Sequence, residues 1–249
     1  MTFAVLTRDL DAGSPYADAF AALGLTVVAM PVTHTEPPRD HGALARALEH
    51  GGHAAVVVAS ARAAAALARA LEGGARQLPE VWAVGPATLR ALAAAGIAAN
   101  LPPSAHDGAS LAEAMVTTRD LAGRRVLVPR AEDGRDDVVA VLRAAGAEIV
   151  EIIAYRTVAT APDDPSIARG KELLVTGGAA ICAVFAPSQV AALITAVGPL
   201  SALRVVFAAI GDTTGAVLRE AGVEQVAVAA APTPEGLANA VAAVYPGTT

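Results

Sequence analysis

The sequence predicts an α/β fold of two doubly wound parallel-sheet domains that arose by internal duplication. Three observations predict it. Short apolar runs alternate with longer alanine- and leucine-rich stretches of helical period, which is the pattern of a parallel sheet covered by helices on both faces. The chain has 249 residues, enough for two separate cores. Motifs in the first half also recur in the same order in the second.

The strands read from the apolar runs are residues 3–7, 25–30, 54–59, 81–84, 97–101, 125–128, 148–152, 180–185, 205–210 and 225–229. Helices fill the gaps. Ser14 before Pro15, and Thr233 before Pro234, each place a capping hydroxyl ahead of a proline at the first helical position. Gly24, Gly96, Gly146 and Gly222 close helices just before the next strand.

The recurrence is specific. Val5-Leu6-Thr7-Arg8 with Leu23-Gly24 matches Leu127-Val128-Pro129-Arg130 with Ala145-Gly146, a shift of 122 residues from 8 to 130 and from 24 to 146. Val84-Gly85-Pro86-Ala87-Thr88 matches Ile210-Gly211-Asp212-Thr213-Thr214, and Ser110-Leu111 matches Gly236-Leu237, both shifted by 126. Alanine richness does not explain such an ordered set, so one ancestral unit was copied. Extended, proline-bearing stretches fall at equivalent points of the two copies, residues 31–39 and 155–165, and crossings there send the chain out and back. The expected layout is one discontinuous domain of residues 1–31 plus 160–249, an inserted domain of residues 38–152, and linkers at 32–37 and 153–159.

Composition removes several classes of function. The net charge is −6, Lys171 is the only lysine, and there is no basic run or aromatic-interleaved patch, so nucleic acid is not an expected partner. Residues 179–197 approach the ~20 apolar residues of a membrane span. Pro187, Ser188 and Gln189 interrupt them, and a strand, a tight turn and a helix fit better. Residues 1–11 lack a basic region followed by a long apolar stretch, so a cytoplasmic address is expected. The single cysteine, Cys182, sits in an apolar run and reads as a core residue. His34, His41, His50, His53 and His106 repeat no metal-ligand spacing, and neither G-x-G-x-x-G nor G-K-S/T occurs, so no metal or cofactor is expected.

Chemistry must then come from the strand ends. Gly85 with Thr88, and Gly211 with Thr213 and Thr214, stand where a strand turns into a helix, a place that offers N–H groups and a hydroxyl to a carboxylate or phosphate. Ser60 and Ser188 occupy another matched pair of strand ends, at the edge where doubly wound sheets bind ligands; helix capping explains them equally well. Arg8, Arg130 and Arg135 lie at or just beyond strand ends, where a bidentate grip on a carboxylate is available. Tyr155 stands at the second crossing, where its phenol could donate a proton or simply pack.

Taken in order, these residues resemble the uroporphyrinogen-III synthase family. They are Thr7-Arg8, Ala59-Ser60, Val84-Gly85-Pro86-Ala87-Thr88, Leu127-Val128-Pro129-Arg130 with Gly134-Arg135, Ala154-Tyr155-Arg156-Thr157, Ile210-Gly211 with Thr213-Thr214, and Pro232-Thr233 with Gly236-Leu237. The resemblance implies two α/β domains joined by a two-stranded linker with substrate in the cleft between them. It also implies the reaction: hydroxymethylbilane loses its terminal hydroxyl, its fourth pyrrole ring is inverted, and the macrocycle closes as uroporphyrinogen III, without a cofactor. Eight carboxylates decorate that substrate, which gives the arginines, hydroxyls and helix starts a purpose. By the same resemblance Tyr155 assists departure of the hydroxyl, and Thr88 and Thr214 line the cleft. A monomer is expected. Asp9, Pro187 and Asp212 depart from the family pattern, which weakens the second-half anion site. The competing reading is a two-domain protein that binds a small anion without transforming it.

Overall fold

The computed structural model describes residues 1–10, 13–72, 78–134 and 137–245. Its strands are β1 Thr2–Leu6, β2 Leu25–Ala29, β3 Thr33–Glu36, β4 His53–Val58, β5 Glu80–Ala83, β6 Arg125–Ala131, β7 Glu148–Ala159, β8 Ala179–Val184, β9 Val206–Ala209 and β10 Val226–Val228. Its α-helices are α1 Pro15–Ala21, α2 Ala43–His50, α3 Ala61–Leu71, α4 Gly85–Ala94, α5 Gly108–Thr118, α6 Asp137–Ala144, α7 Pro165–Val175, α8 Pro187–Val197, α9 Asp212–Glu220 and α10 Pro234–Val244. The chain divides into two compact units, one of Met1–His34 with Val158–Thr249 and one of Thr35–Thr157.

The first unit holds a sheet of order β10-β9-β8-β1-β2 whose pairs are parallel. Strand period explains its two cores. Val5, Cys182 and Phe207 point into one, against Ile167 and Leu174 of α7, Leu193 of α8 and Leu218 of α9. Their neighbours Ala4, Leu6, Ile181 and Ala208 point into the other, against Phe20 of α1 and Leu237 and Val241 of α10. A strand buried on both faces has no room for alternation, which is why β1 and β8 read as continuous apolar runs. Each fully buried Leu or Phe contributes about 1.5–3 kcal/mol.

The second unit repeats the plan with the order β3-β7-β6-β4-β5. Val56, Val58 and Leu127 face α2, α3 and α4 through Leu44, Leu67 and Leu92. Ala55, Val57 and Val126 face α5 and α6 through Leu111, Met115 and Leu142. The elements recur at fixed spacing: α3 and α8 start at 61 and 187, β5 and β9 at 80 and 206, and α5 and α10 at 108 and 234, an offset of 126 each time.

Two expectations need correction. Residues 97–101 do not form a strand; only Asn100 bridges to β5, its N–H donating to the Val81 carbonyl at 2.8 Å and its carbonyl accepting the Ala83 N–H at 2.9 Å. Pro102 and Pro103 follow at once and carry no N–H to continue a ladder. Ser14 precedes α1, but its side chain makes no capping hydrogen bond, whereas Thr233 accepts the Gly236 N–H at 3.0 Å. The difference is conformational: Thr233 is extended at φ −121° and aims its hydroxyl at the third helical N–H, and Ser14, at φ −58°, does not.

Where the chain passes between the units it is extended. β7 runs for 12 residues and β3 lies beside it. Arg156 ties the two, its guanidinium 2.5 Å from the Glu36 carboxylate and donating to the Pro37 carbonyl at 3.3 Å. A little further on, the buried Thr160 hydroxyl donates to the Pro31 carbonyl at 2.6 Å.

Candidate active site

In the second unit the carboxyl end of β4 delivers Ser60. Its backbone is extended (φ −156°, ψ 156°), so its Oγ accepts the Ala63 N–H at 3.1 Å and caps α3. β7 brings Tyr155 to the same place, only 8% exposed, with its hydroxyl 3.2 Å from Ser60 Oγ. Arg62, in the first turn of α3, sets its guanidinium carbon 5.9 Å from the Tyr155 ring centroid. Above the pair lies a recess of ≈ 320 Å³, lined among others by Ser60, Val84, His106, Pro129, Arg130 and Tyr155. The sequence did single out Ser60, Arg130 and Tyr155, and the fold gathers all three here.

Arg130 is engaged by the protein itself. Its guanidinium pairs with Glu151 on the neighbouring strand β7 and donates to the Gly134 carbonyl, and Arg143 reaches the same carboxylate at 2.6 Å. The Arg130 side chain is 14% exposed, so this ion pair is largely shielded from water. Arg135 lies outside the described residues. On the rim, Asp107 caps α5 by accepting the Ser110 N–H at 2.8 Å, and that bond together with the Ser110 hydroxyl holds its carboxyl below the usual carboxylate range.

The two Gly-x-x-Thr turns turn out unlike one another. Gly85 sits at φ +76°, in the left-handed region that favours glycine, while Gly211 is fully extended at φ 177°. Thr88 and Thr214 are buried, each 3% exposed. Thr213 and Ser188 are exposed. Gly85 and Thr88 belong to the second unit but do not line the recess. Arg8, Ser188, Gly211, Thr213 and Thr214 belong to the first.

There the strand ends carry a buried polar lock that sequence reasoning missed. The Thr7 hydroxyl lies 2.7 Å from Gln189 Oε1, which also accepts the Phe185 N–H at 2.8 Å, and Thr7 and Gln189 are both buried. Gln189 thereby fastens the start of α8 to β1, at a turn where Pro187 has no N–H to give. Its only sequence signal is a glutamine beside the matched Ser188. Glu151 was missed as well; nothing short of the register of β6 on β7 shows that it meets Arg130. Among the described residues no three of His, Cys, Asp and Glu come together in a metal-binding arrangement.

Doubly wound α/β units repeated in one chain, with a phenol and a serine over a small recess at the strand ends of one of them, define the class as a two-unit α/β protein with its candidate site at a sheet's carboxyl edge. The particular family is given by sequence: residues 14–239 match the model of uroporphyrinogen-III synthase (HemD), and the chain belongs to that family. Its function is therefore that of a uroporphyrinogen-III synthase, a cyclising lyase acting in tetrapyrrole biosynthesis. The fold is similar to that of uroporphyrinogen-III synthetase from Helicobacter pylori, at 15% identity and a TM-score of 0.67 over 98% of this chain and 100% of that one. It is also similar to a mutant uroporphyrinogen III synthase from the extremely thermophilic bacterium Thermus thermophilus, at 20% identity and a TM-score of 0.64 over 99% and 98%. No curated protein matches the chain in sequence.

Proposed function

We propose that the recess over Tyr155 is where hydroxymethylbilane loses its terminal hydroxyl, and that the Tyr155 phenol assists the departure. The observation that carries this is the 3.2 Å contact between Tyr155 and Ser60. Ser60 Oγ already accepts the Ala63 N–H, so its own hydrogen is available to the phenol oxygen. The phenol hydrogen then faces the recess. As the carbon–oxygen bond breaks, the electron pair leaves with oxygen, the phenol proton joins it, and water departs. The phenolate is stabilised by the Ser60 hydroxyl and by the positive end of α3. Ring closure later expels a proton from the attacked pyrrole carbon, which restores the phenol, so the side chain returns unchanged.

At ≈ 320 Å³ the recess stands at the low end of small-molecule sites, so it takes one end of the bilane and not the whole chain of four rings. Arg8, Gly85, Ser188, Gly211 and Thr213 are proposed as contacts for the carboxylates of the rest, with the buried Thr88 and Thr214 behind them at the two helix starts. Orientation of the reacting ends then supplies much of the rate. The same reading has the protein acting as a cytoplasmic monomer. Cys182 supports it only in one respect: it is fully buried, with its ionisation pushed up to about 12 by burial, and does not link copies through a disulfide.

Tyr155→Phe tests the assignment, because it removes one hydroxyl and keeps the packing. Formation of the type III isomer should fall about tenfold to a thousandfold, as for one acid-base group, with kcat and not KM carrying the loss. Ser60→Ala should reproduce part of that loss and cost about 1 kcal/mol of stability through the lost cap. Turnover left unchanged in Tyr155→Phe would return Tyr155 to a packing role.

A further inference from the structure

The strand-end arginines Arg8 and Arg130 stand 122 residues apart at equivalent points of the repeated plan, yet they are held in opposite ways. Arg130 is mostly buried, and Glu151 engages one of its terminal nitrogens and the Gly134 carbonyl the other. Arg8 is exposed, and among the described residues no carboxylate pairs with it. Among the described residues its one hydrogen bond is a 3.4 Å donation from Nε to the Asp9 carbonyl. Two rings hold it instead. The guanidinium carbon lies 5.0 Å from the Tyr16 centroid and 5.2 Å from that of Phe185, and the rings meet edge to face at 4.9 Å.

The difference is written into the sequence at matched positions. Where the first unit has Tyr16 and Phe185, the second has Val138 and Ala59, from offsets of 122 and 126. Where the second has Glu151, the first has Ala29. One copy therefore neutralises its arginine with a carboxylate, and the other packs rings against it, with no carboxylate paired to it among the described residues.

An aromatic face fixes the plane of a guanidinium without taking any of its N–H groups. The terminal nitrogens of a planar fork held this way match a carboxylate in two parallel hydrogen bonds, and the ordering cost has been met before ligand arrives. Arg8 follows β1, and the turn after the adjacent strand β8 presents the exposed Ser188 at the start of α8. We infer that Arg8 is a grip for a substrate carboxylate and that Tyr16 and Phe185 are its positioning residues, while Arg130 serves the fold. The inference rests on the polycarboxylate bilane that this family takes as substrate.

Steady-state formation of uroporphyrinogen III from hydroxymethylbilane tests it, with urea unfolding followed on the same proteins. Arg8→Gln should raise KM about tenfold or more, since a charge-assisted pair is lost, and Arg8→Lys by a smaller factor, since the charge stays and only the planar fork is lost, with kcat changed far less in both. Tyr16→Leu and Phe185→Leu should raise KM by a smaller factor, and Tyr16→Phe, which keeps the ring, should recover most of the loss. In the Arg8→Gln background Tyr16→Leu should add nothing to KM, because a positioning residue acts only through the group it holds. Arg130→Gln should instead lower the unfolding midpoint. A wild-type KM in Arg8→Gln would overturn the grip, and an additive Tyr16→Leu effect would overturn the positioning role. Wild-type protein that makes no type III isomer would instead fault the activity itself, a result separate from either.

Discussion

Ser60 uses one oxygen for two tasks, ending a strand by capping α3 and meeting the phenol of Tyr155. Gly85 shows the opposite economy, a residue wanted for its backbone alone. At φ +76° an added Cβ is strained even though nothing lies within 4 Å of it, while Gly211, at φ 177°, is extended and equally open. Gly85→Ala should therefore destabilise the protein by about 1 kcal/mol or more, and Gly211→Ala should be close to neutral. Paired urea midpoints check this; equal losses would mean that the two turns are alike. Both glycines were legible as strand-end residues from their matched motifs. The sign of φ was not, because it depends on how each following helix is set against its sheet. The same limit applies to Arg130, whose position could be read from its motif while its partner Glu151, 21 residues on, is fixed only by the register of β6 on β7.

At the scale of elements, the strands legible in the sequence are those buried on both faces, because continuous apolar runs have few other uses. Legibility fails at the sheet edge. Residues 97–101 carry the composition of a strand and are stopped by two prolines, and a polar clasp holds the edge in place of a ladder. Glu80 accepts from Arg119 at 2.8 and 3.1 Å and from the Asn100 amide at 2.9 Å. The Arg119 hydrogen bonds hold the Glu80 carboxyl below its usual range. A group depressed on folding stabilises the protein above its unfolded pKa, about 4.3 for glutamate, and loses that contribution as pH falls through the lower folded value. The midpoint difference between wild type and Glu80→Gln should thus be full at neutral pH and vanish in strong acid. Urea unfolding at a series of pH values measures it, and a difference that persists unchanged into acid would contradict the assignment.

Over the whole molecule, the repeated order of strands and the recurring offset of 126 residues explain why the sequence could be read as two copies of one plan. A copied scaffold also lets its strand ends diverge without loss of fold, since cores are set by apolar period and sites by a few residues at the edge. Here one edge acquired a phenol over a recess, and the other an arginine held between rings. Both assignments depend on a single activity. Purified protein added to freshly generated hydroxymethylbilane, with the isomers separated and quantified, tests it most directly. The predicted result is uroporphyrinogen III formed faster than the bilane closes unaided, and the contradicting result is the type I isomer alone, at the rate of the spontaneous reaction.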